Sequence, residues 1–157
     1  MPLVTAALAS ALQQNWLIPA GGNHHASVSA SADRLASVVS QWFANATAMG
    51  FPCSTAAIRR PSMVPGLISA LSAGSASAAG PLLSLAIGQY CLGQLFGPGV
   101  ANMPLGVGIA GSAFTTVFLD LEARNEVRAQ QMAAAISGLA LTTIAVFPPP
   151  LSPQPVL

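Results

Sequence analysis

The sequence predicts an all-α chain of about five or six short, small-residue-rich helices with an extended proline-rich C-terminal arm. Three observations carry this expectation. Apolar residues recur at helical spacing, Gly and Pro punctuate those runs, and the terminal segment holds too much proline to continue a helix. At 157 residues the chain has the size of one domain, with a helical body over residues 1–147 and the arm over 148–157.

In the first helix Val4, Leu8, Ala11 and Leu12 share a face, and Pro19, Ala20, Gly21 and Gly22 then break the period, so the helix ends near Trp16. No positive charge precedes Arg34, so the apolar start from Met1 to Leu12 lacks the charged region of a secretory signal, and the mature chain is expected to begin at its N-terminus. Ser27, Ser29 or Ser31 can cap the second helix. There Val28, Ala32, Leu35, Val39, Trp42, Ala46 and Met49 alternate steps of four and three until Gly50 and Pro52.

A loop holding Arg59, Arg60, Pro61 and Pro65 leads to a third helix reaching Gly80, with Gly66, Ala70, Gly74 and Ala78 four apart on one face. Side chains this small admit a close backbone neighbour. Each interior glycine costs about 1 kcal/mol against alanine, so this helix depends on packing and is short or broken.

Pro81 suits a first turn, and Leu82, Leu85, Ala86, Gln89, Leu92 and Phe96 carry a fourth helix to the stop at Gly97, Pro98 and Gly99. Past Pro104 the run from Leu105 to Leu119 is apolar. It is followed by the one densely charged stretch, Asp120 to Arg128, in which Asp120 and Arg124 have the spacing of a helical ion pair. The final helix runs through Met132, Ile136, Leu139, Thr143 and Val146 to Pro148, Pro149 and Pro150. Five prolines with Leu151, Val156 and Leu157 then make an arm extending about 3 Å per residue. Its apolar side chains suit a groove on a neighbouring subunit.

Charged residues make up only 6% of the chain, against about 25% in soluble domains. There is no lysine, and nothing charged lies between Arg60 and Asp120. Such a surface calls for a partner, protein or lipid, to cover it. A net charge of +1 leaves no basic stripe for phosphates, so nucleic acid is not an expected partner.

Groups that could carry chemistry are scarce. Cys53 and Cys91 are too few for a disulfide scaffold or a metal site, and read as small buried side chains. His24 and His25 are neighbours in a loop and make a poor chelating pair. No serine sits in a nucleophile elbow, and without lysine there is neither a Ser-x-x-Lys pair nor a phosphate-binding loop around Gly106, Gly108 and Gly111. Glu122 with Glu126 and Arg124 with Arg128 are like-charge pairs that do little for their own helix. No catalytic, cofactor-binding or metal-ligating residue is assigned, and no enzyme is expected.

Three apolar stretches invite a membrane reading: Pro81 to Gly97, Leu105 to Leu119 and Met132 to Phe147. Each falls short of the roughly 20 residues that cross a bilayer core, and all are rich in Gly, Ser, Thr or Gln. A small integral membrane protein, such as a holin-like pore former, is the alternative to a structural subunit.

The run from Leu121 to Ile136, the passage from Thr142 to Pro150 and the Ala/Ser/Pro-rich start resemble small all-helical structural proteins of tailed bacteriophages. The resemblance implies a virion component, in the tail or baseplate of a contractile phage. It implies many copies or a ring arrangement, with other subunits of the same assembly as partners, and it assigns no functional residue.

Overall fold

The computed structural model describes residues 3–19 and 22–157. Met1, Pro2, and the Ala20 and Gly21 of the expected break after the first helix lie outside the described residues. The described chain holds, in order, α1 (Thr5–Asn15), α2 (Val28–Phe43), β1 (Thr47–Ala48), β2 (Phe51–Pro52), α3 (Arg60–Leu71) and α4 (Ala76–Cys91). It continues with β3 (Leu95–Phe96), β4 (Gly99–Ala101), α5 (Val107–Leu119), α6 (Asn125–Leu141), β5 (Ile144–Val146) and β6 (Gln154–Pro155).

This order is three successive units of two helices followed by a β-hairpin. The hairpins begin at Thr47, Leu95 and Ile144, a period of about 48 residues. Buried residues recur on the same period: Leu35, Leu83 and Met132; Val39, Ile87 and Ile136; Ala48, Phe96 and Ala145. Backbone bonds repeat as well. Cys53 N–H donates to Ala46 O at 2.9 Å, Ala101 N–H to Gln94 O at 2.9 Å, and Val156 N–H to Thr143 O at 3.0 Å.

The units close into a ring. Antiparallel strands run β1-β2 and β3-β4-β5-β6, and a bridge between Cys53 and Phe96 joins the two sheets. Between units, Ser54 N–H donates to Leu95 O at 3.0 Å, Asn102 N–H to Ile144 O at 2.8 Å, and Leu157 N–H to Thr47 O at 2.9 Å. The last of these returns the strand path to its start. The helices do the same, with α2 on α3, α4 on α5 and α6 on α1. The even-numbered helices bury a broad face, and α1, α3 and α5 only a stripe.

The hairpins overturn the all-α expectation: the fold is mixed α and β. The second helix was expected to continue through Met49, but Met49 (φ 55°) and Gly50 (φ 81°) are in the left-handed region that a two-residue hairpin turn requires. Gly97 (φ 58°) turns the second hairpin. The fourth helix, expected to reach Phe96, ends at Cys91, and the last, expected to reach Val146, ends at Leu141. Ile144, Ala145 and Val146 form β5 instead, where β-branched side chains suit a pleated surface. The segment expected as an arm reaching a neighbour supplies β6 to the sheet of its own chain.

Local signals explain the helix starts. Ser27 Oγ accepts from Ala30 N–H at 3.0 Å and Ser75 Oγ from Ala78 N–H at 3.3 Å, so serine caps open α2 and α4. Pro81 lies inside α4 rather than in its first turn. It forfeits the single intrahelical bond its N–H would make. The expected third helix breaks between Leu71 and Ala76, which removes Gly74 from any helical face. Close approach occurs elsewhere: a Cβ on Gly80 would lie 2.6 Å from Gly111 O and would strike Thr115 Oγ1, while one on Gly74 would meet nothing within 4 Å. Among the described residues no helix is long and apolar enough to cross a membrane.

Two stability outcomes follow from this packing. Gly80→Ala is expected to destabilise the fold by about 2 kcal/mol, lowering Tm by roughly 4–8 °C, whereas Gly74→Leu leaves Tm nearly unchanged. Equal melting of the two variants in calorimetry would refute the α4–α5 contact. Removing residues 154–157 unpairs β6 from β5 and Leu157 from Thr47. It should cost roughly 3 kcal/mol while the helical circular dichroism is retained. An unshifted Tm would mean that ring closure contributes nothing.

Candidate functional site

His24 is exposed and His25 half-buried in the α1–α2 loop. His25 Nε2 donates to Trp16 O at 2.8 Å, and Trp16 Nε1 donates to Ser31 Oγ at 3.0 Å. These bonds hold the loop against the end of α1 and leave His25 without a serine or cysteine partner. Among the described residues, no group of three or more His, Cys, Asp and Glu is placed to hold a metal ion.

The two cysteines are buried beside the second hairpin. Gln94, fully buried at the position of Ala46 and Thr143 in the other units, is the hub there. Its Oε1 accepts from Thr55 Oγ1 at 2.6 Å and Cys53 Sγ at 3.4 Å, and its Nε2 donates to Tyr90 O at 3.0 Å. Tyr90 Oη donates to Ala56 O at 2.9 Å. The network ties the segment after the first hairpin to the start of the second, and a buried amide with both ends satisfied favours a single register. The sequence reading missed this hub, because a lone Gln before a two-residue strand has no pattern around it.

Burial raises both thiols. Cys53 is pushed up by desolvation against opposing hydrogen bonds from Thr55 and Ala56. Cys91 is pushed up to about 12, with a weaker downward pull from its bond with Thr143. Neither is a nucleophile at neutral pH.

The charges are spread along the fold. Arg60 pairs with Asp33 at 3.0 Å, an exposed bridge of small energetic weight. Arg59 Nη2 donates to Leu92 O at 2.6 Å. The expected Asp120–Arg124 helical pair does not form, because α5 ends at Leu119 and α6 begins at Asn125. Asp120 Oδ1 instead accepts from Ala123 N–H at 3.1 Å, and Arg128 Nη2 donates to Asp120 O at 2.8 Å.

What the ring leaves open is apolar. Because Ala48, Phe96 and Ala145 point inward, the alternating positions Leu95, Val100, Ile144 and Val146 face outward and are exposed. A groove of about 490 Å³ runs between α5 and α6, with Gly106, Ala110, Ala113, Ala134 and Gly138 among its small lining residues and Ile109, Val117 and Thr142 among the larger ones. No charged residue lines it. The hydroxyl of Thr142 is already engaged, donating to Gly138 O at 2.8 Å and accepting from Gly106 N–H at 3.0 Å. The site can therefore receive an aliphatic surface and offers no reacting group.

The raised thiols have a pH consequence. In the folded chain Cys91 stays protonated above its ordinary value of 9.0, whereas the unfolded chain loses that proton. The stability that the neutral thiol contributes is present below pH 9.0 and is lost as pH climbs toward about 12. Tm should fall over that interval, and iodoacetamide at mildly alkaline pH should label both cysteines far more slowly in the folded than in the denatured chain. Equal labelling rates would overturn the burial of the thiols. Comparison of the chain with protein-family models, curated proteins and solved structures finds no match.

Proposed function

We propose that the chain is a non-enzymatic structural subunit that works by docking apolar surface against other protein chains in a larger assembly. A bacteriophage virion is the assembly its sequence resemblance suggests. The observation that carries this reading is the uncharged groove between α5 and α6, which adjoins a sheet whose outward side chains are aliphatic. A surface of this kind in water favours association, and its apolar area is the driving term.

The arrangement of hydrogen bonds supports the same reading. The hydroxyls and the amide beside the hairpins bond to the protein's own backbone or to one another. They stiffen the scaffold rather than present a reactive group to a ligand. A rigid ring with an apolar exterior suits positional work, holding neighbours at fixed distances.

Gradient sedimentation of gently lysed cells that make the chain tests this reading. The chain is expected in large particles, in fixed proportion to other proteins. Recovery as a free species of 15.8 kDa would refute it. Flotation with lipid after alkaline washing of membranes would replace it with a membrane function.

A further inference from the structure

The three hairpins are not built alike. Met49 and Gly50 join β1 to β2, and Gly97 and Pro98 join β3 to β4. The third return strand, β6, follows a connection of seven residues, Phe147 to Pro153, of which four are proline and all but Phe147 are exposed. A two-residue turn locks a strand to its partner in one register, whereas a connection this long lets the strand leave without its partner. The prolines carry no N–H, so the connection cannot itself zip into the sheet.

What β6 fills is a slot one strand wide. On one side Pro155 lies opposite Ile144 and Gln154 opposite Ala145, and Val156 N–H donates to Thr143 O at 3.0 Å. On the other side Leu157 exchanges two backbone bonds with Thr47. Val156 is fully buried beneath the slot, at the position that Cys53 and Ala101 hold in the other units. When β6 withdraws, each wall keeps its own support, β5 from β4 and β1 from β2. The two walls then present unpaired N–H and C=O groups across a gap that an added strand completes.

The slot specifies its occupant. Its floor receives one buried valine, and its walls pair with a strand on both sides. Gln154 to Leu157 meet these requirements in this chain, and the same four residues of a second copy meet them identically. A short tether holds the chain's own strand at an effective concentration on the order of millimolar, so in dilute solution each chain fills its own slot. In an assembly of many copies a neighbour's strand is held equally near. The seven connecting residues, extended, span roughly 20 Å.

We infer that β6 is an exchangeable strap: residues 154–157 leave their slot while the six helices and the other two hairpins stay folded, and neighbouring copies fill each other's slots. Every bond broken in one copy is re-formed in the other, so the exchange alters which chains are joined and not what joins them. The crowding of copies that favours exchange rests on the reading of the chain as an assembly subunit.

A disulfide reports whose strand occupies the slot. Thr47 and Leu157 form a hydrogen-bonded antiparallel pair, and the Cα separation of such a pair, about 5.5 Å, suits a disulfide. In full-length Thr47→Cys/Leu157→Cys, oxidised gently, the native Cys53 and Cys91 are buried and stay out of the reaction. Non-reducing electrophoresis is expected to show the link within one chain in dilute solution. Disulfide-joined pairs should be at least tenfold more abundant when oxidation is carried out at about 1 mM than at about 1 μM. Each single-cysteine variant should give at least tenfold fewer joined pairs than the double variant.

The unaltered chain supplies a second measurement. A dye-labelled peptide of residues 148–157 should bind it saturably in fluorescence anisotropy, and the same peptide with Val156→Asp should bind at least tenfold more weakly. Links confined to single chains at every concentration, single-cysteine variants that join as readily, or a wild-type peptide that does not bind each overturns strand exchange. Intrachain links alone in chains recovered from large particles would remove exchange and leave the assembly reading standing. Interchain links in the purified chain, with only the free 15.8 kDa species in lysed cells, would remove the assembly reading and leave the exchange.

Discussion

Thr47 and Leu157 exchange two backbone hydrogen bonds, Thr47 N–H to Leu157 O at 2.8 Å and Leu157 N–H to Thr47 O at 2.9 Å. Without them the strand path is an open ribbon whose first strand has one free edge, and edges of that kind recruit other chains. With them, the inward side chains Ala48, Phe96, Ala145 and Val156 become one buried floor beneath the helices. The helical layer makes the same return: Thr5 Oγ1 and Ser137 Oγ lie 2.9 Å apart, and Asn125 Nδ2 donates to Ile18 O, so α6 is fastened to the start of the chain. Each layer fixes the diameter of the other.

Closure at this diameter requires thin helices. Gly66 lies against Ala86 and Gly80 against Gly111, contacts at which an added Cβ would fall 2.7 Å and 2.6 Å from the neighbour. The abundance of Gly, Ala and Ser therefore follows from geometry rather than from flexibility. Small side chains carry little apolar area each, and Phe43, Tyr90, Phe96 and Phe114 are among the largest fully buried side chains of the core. Phe43 touches Tyr90 and Phe96 edge-on, with ring centroids 5.6 Å and 6.3 Å away, joining α2 to the second unit. A few aromatic anchors thus position many close backbone contacts.

The second helix was legible because its apolar residues keep a helical period over more than ten residues, with Ser27 one of three candidate caps beside Ser29 and Ser31. By contrast, α3 begins at Arg60, inside the expected loop of Arg59, Arg60, Pro61 and Pro65, because proline is tolerated in a first helical turn. The strands were not legible. At two or three residues each, they are shorter than the run over which alternation can be read. Their positions at the ends of helical periods made Ala46, Met49 and Val146 look like one more turn. The turn chemistry is visible in Gly50 and in Gly97 followed by Pro98, but glycine and proline at the end of a helical period mark a stop and a reversal alike. The threefold repeat is hidden because its positions conserve burial and not identity, as Leu35, Leu83 and Met132 show. The groove is not visible in one dimension: Gly106 and Ala110 lie within an apolar run and Gly138 within the last helix, and only the packing of α5 on α6 brings these segments together.

Ring closure also shapes the route to the folded state. Thr5 and Ser137 are 132 positions apart, and Asn125 and Ile18 are 107 apart. Contacts so distant along the chain form only after the loop entropy between them has been surrendered, which slows folding of a topology built on them. A growing chain that has completed α1 to β4 lacks both the helix that covers α1 and the strands that continue β4. It therefore presents uncharged, unpaired surface until residues 154–157 have been made. The same shortage of charge that suits the finished ring to burial against a neighbour leaves the half-built one exposed to premature association, and the speed at which the third unit arrives sets how long that interval lasts.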